Sequence, residues 1–176
     1  IEVIDSRTVE AGEMPIAIDA AKLAMEGAGF DEVVERAYAV RDSMCALFCF
    51  ETLFYRDKGG RVFKAKPWAE AEGNHGVGFK AMIEVDFSTG GTVQLVSRAK
   101  SKRQLLQKMV EIAAEKVGEG TMSGAIVHIN ALQDAEYVRD LAASKVECDS
   151  LPISLGRAVT AIQNGEGFVT FGFHVV

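Results

Sequence analysis

The run Cys45-Ala46-Leu47-Phe48-Cys49-Phe50 contains no polar side chain, and it constrains the fold more than any other stretch. A strand sends successive side chains to opposite faces, so a strand apolar at every position must be covered on both sides. The chain is therefore expected to pack layers around a sheet, and the flanking periodicities supply them. Met14–Glu26 is expected to be a helix, with Pro15 in its first turn, Gly27 and Gly29 past its end, and Ile16, Ala20, Leu23 and Ala24 in one apolar stripe. Asp31 is the expected N-cap of a second helix reaching Ser43, packed through Val33, Val34, Ala37 and Val40, with Phe30 stapling onto Val34.

Downstream, Phe79–Asp86 alternates, placing Phe79, Ala81, Ile83 and Val85 on one face. Ser88-Thr89-Gly90-Gly91 then turns the chain into Thr92–Val96, which predicts an antiparallel hairpin. Ser101 with Gln104 forms a capping-box pattern that opens a helix to about Val117, with Leu105, Met109, Ile112 and Ala113 inward. A strand at Ala125–Ile129, a helix at Asp134–Lys145 and a strand at Phe168–Val176 complete the pattern. The expected class is α+β, with layered helices on a mixed or mainly antiparallel sheet, forming one compact domain over residues 1–176. Ile1–Ile4 reads as a short buried strand. A chain that opens in mid-strand without Met is expected to be a fragment, and residues 1–12 are expected to belong in part to the sheet of an absent amino-terminal domain.

Composition narrows function by exclusion. A formal charge of -6 argues against a nucleic-acid partner. No apolar run approaches the roughly 20 residues of a membrane span. The three cysteines, Cys45, Cys49 and Cys148, have no zinc or redox spacing and read as free thiols of a reducing cytosol. The three histidines, His75, His128 and His174, are scattered without metal spacing, and the last two sit in apolar strands. Gly76-Val77-Gly78 and Gly165-Glu166-Gly167 lack the third glycine and the strand–helix setting of a dinucleotide fingerprint. Two features admit a functional reading beside the structural one of a tight turn with a solvated Arg and of a solvated helix start. Lys58-Gly59-Gly60-Arg61 joins backbone freedom to a guanidinium that can hold an anion. The run Arg98-Ala99-Lys100-Ser101-Lys102-Arg103 sets cations at a helix N-terminus, where they are slightly unfavourable.

In order and spacing these pieces resemble the DegV family of fatty-acid binders. Val3-Ile4-Asp5-Ser6-Arg7 is similar to that family's V-I-D-S-K/R strand end. Phe50-Glu51-Thr52-Leu53-Phe54-Tyr55-Arg56-Asp57-Lys58-Gly59-Gly60-Arg61-Val62 resembles its D-T-L-E-Y-L-x-K-G-G-R-I run. Gly156 through Gly165-Glu166-Gly167 to Phe173 resembles its terminal G-x-V-I-G-x-H-T-G-P-G segment. The resemblance implies a cytoplasmic bacterial protein, not an enzyme and without cofactor, that encloses a long-chain fatty acid in an apolar tunnel. It implies that the carboxylate is held mainly by an amino-terminal domain, and that some members present the acid to a separate fatty-acid kinase.

By position Arg61 matches the family's GGR arginine, Arg98 stands nearest its second arginine, and the terminal-loop histidine falls on Gln163. The resemblance therefore implies Gly59, Gly60, Arg61, Arg98, Gln163 and Asn164 as lipid- or partner-binding residues, with no metal ligands. Gln163 cannot carry the charge of an imidazolium, and Glu166 replaces proline. Alternative readings are an interaction module without lipid and, since the family fold resembles a dihydroxyacetone kinase domain, a phosphoryl-transfer relative. Self-association of the truncated chain through an uncovered face is a further expectation.

Overall fold

The computed structural model describes residues 1–53, 55 and 80–176. A single 3-10 turn at Glu10–Gly12 precedes two helices, α1 (Glu13–Met25) and α2 (Phe30–Ser43). The chain then runs through β1 (Cys45–Cys49), β2 (Lys80–Glu84), β3 (Gln94–Ala99), α3 (Lys102–Val117), β4 (Thr121–His128) and α4 (Leu132–Ala143). It closes with β5 (Glu147–Ser150), β6 (Ile153–Leu155), α5 (Ala158–Asn164) and β7 (Val169–Val175). Among the described residues no helix is long and apolar enough to cross a membrane.

The seven strands form one sheet in the order β3-β2-β1-β7-β4-β5, with β6 also on β4. Strand β4 pairs in parallel with β5 near its start and with β6 near its end, and every other pairing is antiparallel. The sheet is thus mixed, and the α+β expectation holds. The apolar run is buried at every position because both faces are covered. Cys45, Leu47 and Cys49 face α3 and α4, packed with Leu105, Met109, Val138 and Phe171. Ala46, Phe48 and Phe50 face the other way, with Ala81, Ile83, Ile129 and Phe168. Strand β2 divides in the same sense, Met82 to the first face and Ala81 and Ile83 to the second.

Helix α3 opens as expected: Ser101 Oγ accepts from Gln104 N and Gln104 Oε1 accepts from Ser101 N, each at 3.3 Å. Helix α2 departs from expectation at its start. Its cap is Gly29, whose N–H donates to Glu32 Oε2 at 2.8 Å, so Asp31 lies inside the first turn. Phe30 is consequently helical and 62% exposed, and it does not stand before the cap as a staple residue must. Ile1–Ile4 pairs with no strand among the described residues, and Ile1 and Val3 are exposed, which corrects the buried-strand reading. The β2–β3 turn is organised by Asp86, a buried side chain whose carboxylate accepts from Ala46 N, Ser88 N, Ser88 Oγ and Thr89 N at 2.7–3.3 Å. Two short strands, β5 and β6, and the helix α5 were not marked by sequence periodicity.

Candidate functional site

Glycine sets the geometry of the second face. The 3-10 turn lies flush on the sheet because Gly172 of β7 has no side chain, and a Cβ there would overlap the Ala11 carbonyl. Glu10 takes a φ of 58°, a left-handed conformation that costs a side-chain-bearing residue about 1–3 kcal/mol unless its surroundings hold it. Two contacts do so: the Ala11–Gly12 backbone rests on β7, and Thr160 Oγ1 donates to Glu10 Oε1 at 2.6 Å.

Thr160 belongs to α5, which the chain enters from β6 through Gly156, whose N–H donates to His128 O at 2.8 Å. Residues four apart share a helix face, so Thr160 and Asn164 both point inward and are buried. Val159 and Ile162 occupy the opposite side and are exposed at 64% and 74%.

Between the turn with the start of α1 and the Ser154–Asn164 segment lies an open groove of about 790 Å³. Val127 of β4, Val9, Met14 and Leu155 supply apolar wall, and Glu10, Glu13, Arg157, Gln163 and Asn164 supply polar groups. Asn164 is 1% exposed, and its Oδ1 has no hydrogen-bond partner among the described residues. A buried acceptor left unmade costs about 1–3 kcal/mol. Thr8 Oγ1 and Thr170 Oγ1 on the same face are likewise buried without a partner among the described residues. Thr170 sits opposite Phe48 on one side and Val127, a groove residue, on the other. The loop closing this end is tied to β4 by Gly167 N donating to Ile129 O and Ile129 N donating to Phe168 O, both at 2.9 Å. Glu166 there accepts from the Asn130 amide.

Several other ionisable groups are held by partners within the fold. His128 Nδ1 accepts from Ala131 N at 3.2 Å, and burial holds the imidazole below its ordinary value. His174 is buried with Nε2 at 3.5 Å from Asp19 Oδ2, and Asp19 in turn pairs with Arg36 of α2. Desolvation lowers the His174 pKa, against the pull of Asp19. Cys45, Glu84 and Asp86 converge at metal-ligand spacing. Lys116 Nζ, however, sits 2.9 Å from Glu84 Oε1, and the Asp86 oxygens are taken by N–H and O–H donors, so the cluster is an internally satisfied ion pair. Burial pushes the Cys49 thiol up to about 12 and raises Cys45 as well.

Of the site residues expected from sequence, the structure brings Gln163 and Asn164 together on the groove. Gly59, Gly60 and Arg61 lie outside the described residues, as do His75 and the Gly76–Gly78 motif. Arg98 is exposed on β3, opposite Ala81, at one edge of the sheet. Four inter-strand spacings separate β3 from β4, roughly 19 Å. Glu10 and Thr160 join the site without a motif of their own. Their signal was available only as pairing across the fold, since 150 positions separate them.

Residues 1–175 match a family described as an uncharacterised protein of the DegV family. A DegV domain-containing protein of Clostridium acetobutylicum is 23% identical over 167 residues, covering 95% of this chain and 58% of the relative. A DegV family protein of Thermus thermophilus, described by its fatty acid binding, superposes with a TM-score of 0.86 at 18% identity, over 99% of this chain and 61% of that one. A DegV family protein of Ruminococcus gnavus, described with vaccenic acid, superposes with a TM-score of 0.83 at 23% identity, over 97% and 59%. The chain thus spans less than two thirds of the length of each of these proteins.

Proposed function

This chain belongs to the DegV family, and from that membership we propose that it binds a long-chain fatty acid, its acyl tail directed toward the Phe48, Phe50 and Phe168 cluster and its head group beside the α5 groove, where an amino-terminal domain supplies most of the carboxylate's ligands. The observation that carries this reading is the groove itself: apolar walls around a buried Asn164 acceptor without a partner among the described residues. Ligand sites commonly combine a mostly apolar lining with a few fixed polar groups. Burying a 16-carbon tail at about 0.8 kcal/mol per methylene supplies ample driving force before ordering costs. The fatty acid named for the R. gnavus protein and the fatty acid binding named for the T. thermophilus protein support the ligand class.

On this reading the protein is a cytoplasmic carrier, not a catalyst. Of residues 1–12, those before the 3-10 turn join the sheet of an amino-terminal domain on this reading, while Glu10–Gly12 stay on β7. Gly59, Gly60, Arg61, Arg98, Gln163 and Asn164 are the residues this reading assigns to the lipid or a partner. Presentation of the acid to a separate kinase belongs to the same resemblance. Gln163 and Glu166 weaken that extension, because neither brings positive charge toward a phosphate.

Native mass spectrometry of the protein at its gene-encoded length, followed by organic extraction, tests the carrier reading. A stoichiometric fatty acid is expected. A protein that neither carries a fatty acid nor takes up added palmitate sinks it.

A further inference from the structure

The stretch before the 3-10 turn is pinned to α2 and to the β2–β3 turn by contacts that the core does not require. Ile4 packs on the cluster of Ile16, Ala37, Val40 and Met44, and Glu2 Oε1 accepts from Tyr38 Oη of α2 at 2.7 Å, while Ile1 and Val3 are exposed. Arg7 then takes a φ of 54°, a left-handed conformation that a side-chain-bearing residue keeps only where its surroundings hold it. The β2–β3 turn does so. The Arg7 guanidinium lies over the Phe87 ring, 5.0 Å from its centroid, and a Cβ on Gly91 would stand only 3.3 Å from Arg7 Cβ. Arg41 of α2 reaches the same ring at 4.9 Å and lies over Tyr38 at 4.6 Å. Asp5 and Asp42 balance the two cations, Asp5 Oδ2 at 3.9 Å from Arg7 Nε and Asp42 Oδ1 at 2.6 Å from Arg41 Nη2. The contacts close a circuit from Glu2 through Tyr38, Arg41 and Phe87 to Arg7. Phe87 is a firm post in it, because the adjacent Asp86 ties the turn to Ala46 N of β1 at 3.2 Å.

Two residues beyond Arg7, Val9 and Glu10 already form groove wall, whereas Arg7, Arg41 and Phe87 are not part of the lining. The circuit therefore stands between the groove and the stretch that leads toward an amino-terminal domain. A planar guanidinium over a ring fixes direction as well as distance, and it does so at sites too exposed for a core contact. We propose that Arg7, Phe87 and Arg41 are positioning residues, a clamp that fixes how residues 1–6 leave this domain and so seats the amino-terminal domain over the groove. The inference rests on the acyl-carrier reading above and adds that retention of the acid depends on residues outside the groove lining. A loosened seat lets the two halves part more often, so bound lipid leaves faster while this domain keeps its fold.

The test is hydrogen exchange read by mass spectrometry, beside stopped-flow release of a fluorescent acyl probe to albumin, on the protein at its gene-encoded length. Phe87→Leu keeps the apolar volume and removes the ring. It is expected to raise both exchange over residues 1–8 and the acyl release rate about tenfold, the loss of two cation–π contacts at partly exposed sites. Exchange in β1 and β7 should stay at wild-type values, which a general loss of stability would not allow. Arg7→Gln, at an exposed position, loses one contact and should raise both rates about threefold. Phe87→Tyr keeps the π face and should match the wild type. Exchange or release at wild-type values in both Phe87→Leu and Arg7→Gln overturns the inference and leaves the carrier reading standing. A wild-type protein that takes up no acyl probe and yields no acyl lipid on extraction removes both.

Discussion

The two faces of the sheet are built from the same strands and differ in what they leave unfinished. Toward α3 and α4 the side chains of β1, β4 and β7 interlock with Leu105, Leu106, Met109 and Val138 in one continuous apolar cluster. On the other face, under the 3-10 turn, α1 and α5, lie Thr8, Asn164, Thr170 and His174, the described residues with buried polar atoms that lack a hydrogen bond. Neighbours on β7 carry the contrast within two positions, Phe171 pointing to the first face and Thr170 to the second. A close-packed face holds the fold together, and a face with open polar valences is where a ligand can contribute what the chain does not.

Substitutions on the two faces should therefore differ in size and even in sign. Phe171→Ala, within the continuous cluster, is expected to destabilise by about 4 kcal/mol, read as a lowered midpoint in urea. Should it cost under about 1 kcal/mol, the first face is not the main core. Gly172→Ala forces the Ala11 carbonyl off the sheet, and about 2 kcal/mol of lost stability should accompany loss of the groove wall, measured as weaker acyl binding. Retained binding after that substitution would show that the turn does not shape the site. Thr170→Val removes a hydroxyl that has no partner among the described residues, at nearly constant shape, and is expected to be neutral or to stabilise by up to about 1 kcal/mol, followed by thermal unfolding. A clear destabilisation would mean the hydroxyl is in use.

Acid acts on the second face through His174. Desolvation, opposed by the Asp19 carboxylate and aided by Arg36 and Lys22, places its folded pKa below the ordinary 6.5. As pH falls past that ordinary value the unfolded chain takes up the proton first, so the contribution of the neutral ring is complete above it and lost below. His174→Asn should flatten the decline of stability under pH 6.5, and an unchanged profile would assign that decline to other groups. The smallest effect concerns thiols: Cys148, partly exposed, should react with a thiol reagent well before the buried Cys45 and Cys49.

Much of the fold was legible along the chain because its signals are local. The all-apolar β1, the alternation of β2, the Ser101–Gln104 cap and the period of α3 each lie within a few residues. Two readings failed, one for a local reason and one for want of a partner. Gly29, with no side chain to accept a bond, outcompeted Asp31 as the α2 cap because Glu32 reaches back to its N–H. The stretch Ile1–Ile4 looked like a buried strand, yet it pairs with no strand among the described residues. Strands β5 and β6 are short and half-buried at the sheet edge, and too few of their positions repeat for a period to register.

The sequence by itself determined the α+β class, the doubly covered central strand and the family resemblance, and it marked Gln163 and Asn164 in the terminal segment. Only the tertiary structure decided that Asn164 is buried with no donor among the described residues, that Glu10 is held by Thr160, and that Glu10 and Glu13 share its groove. The physical reason is range. Periodicity and caps are set by neighbours within a turn or two, whereas an unmet hydrogen bond and a pairing across 150 positions exist only once distant segments meet.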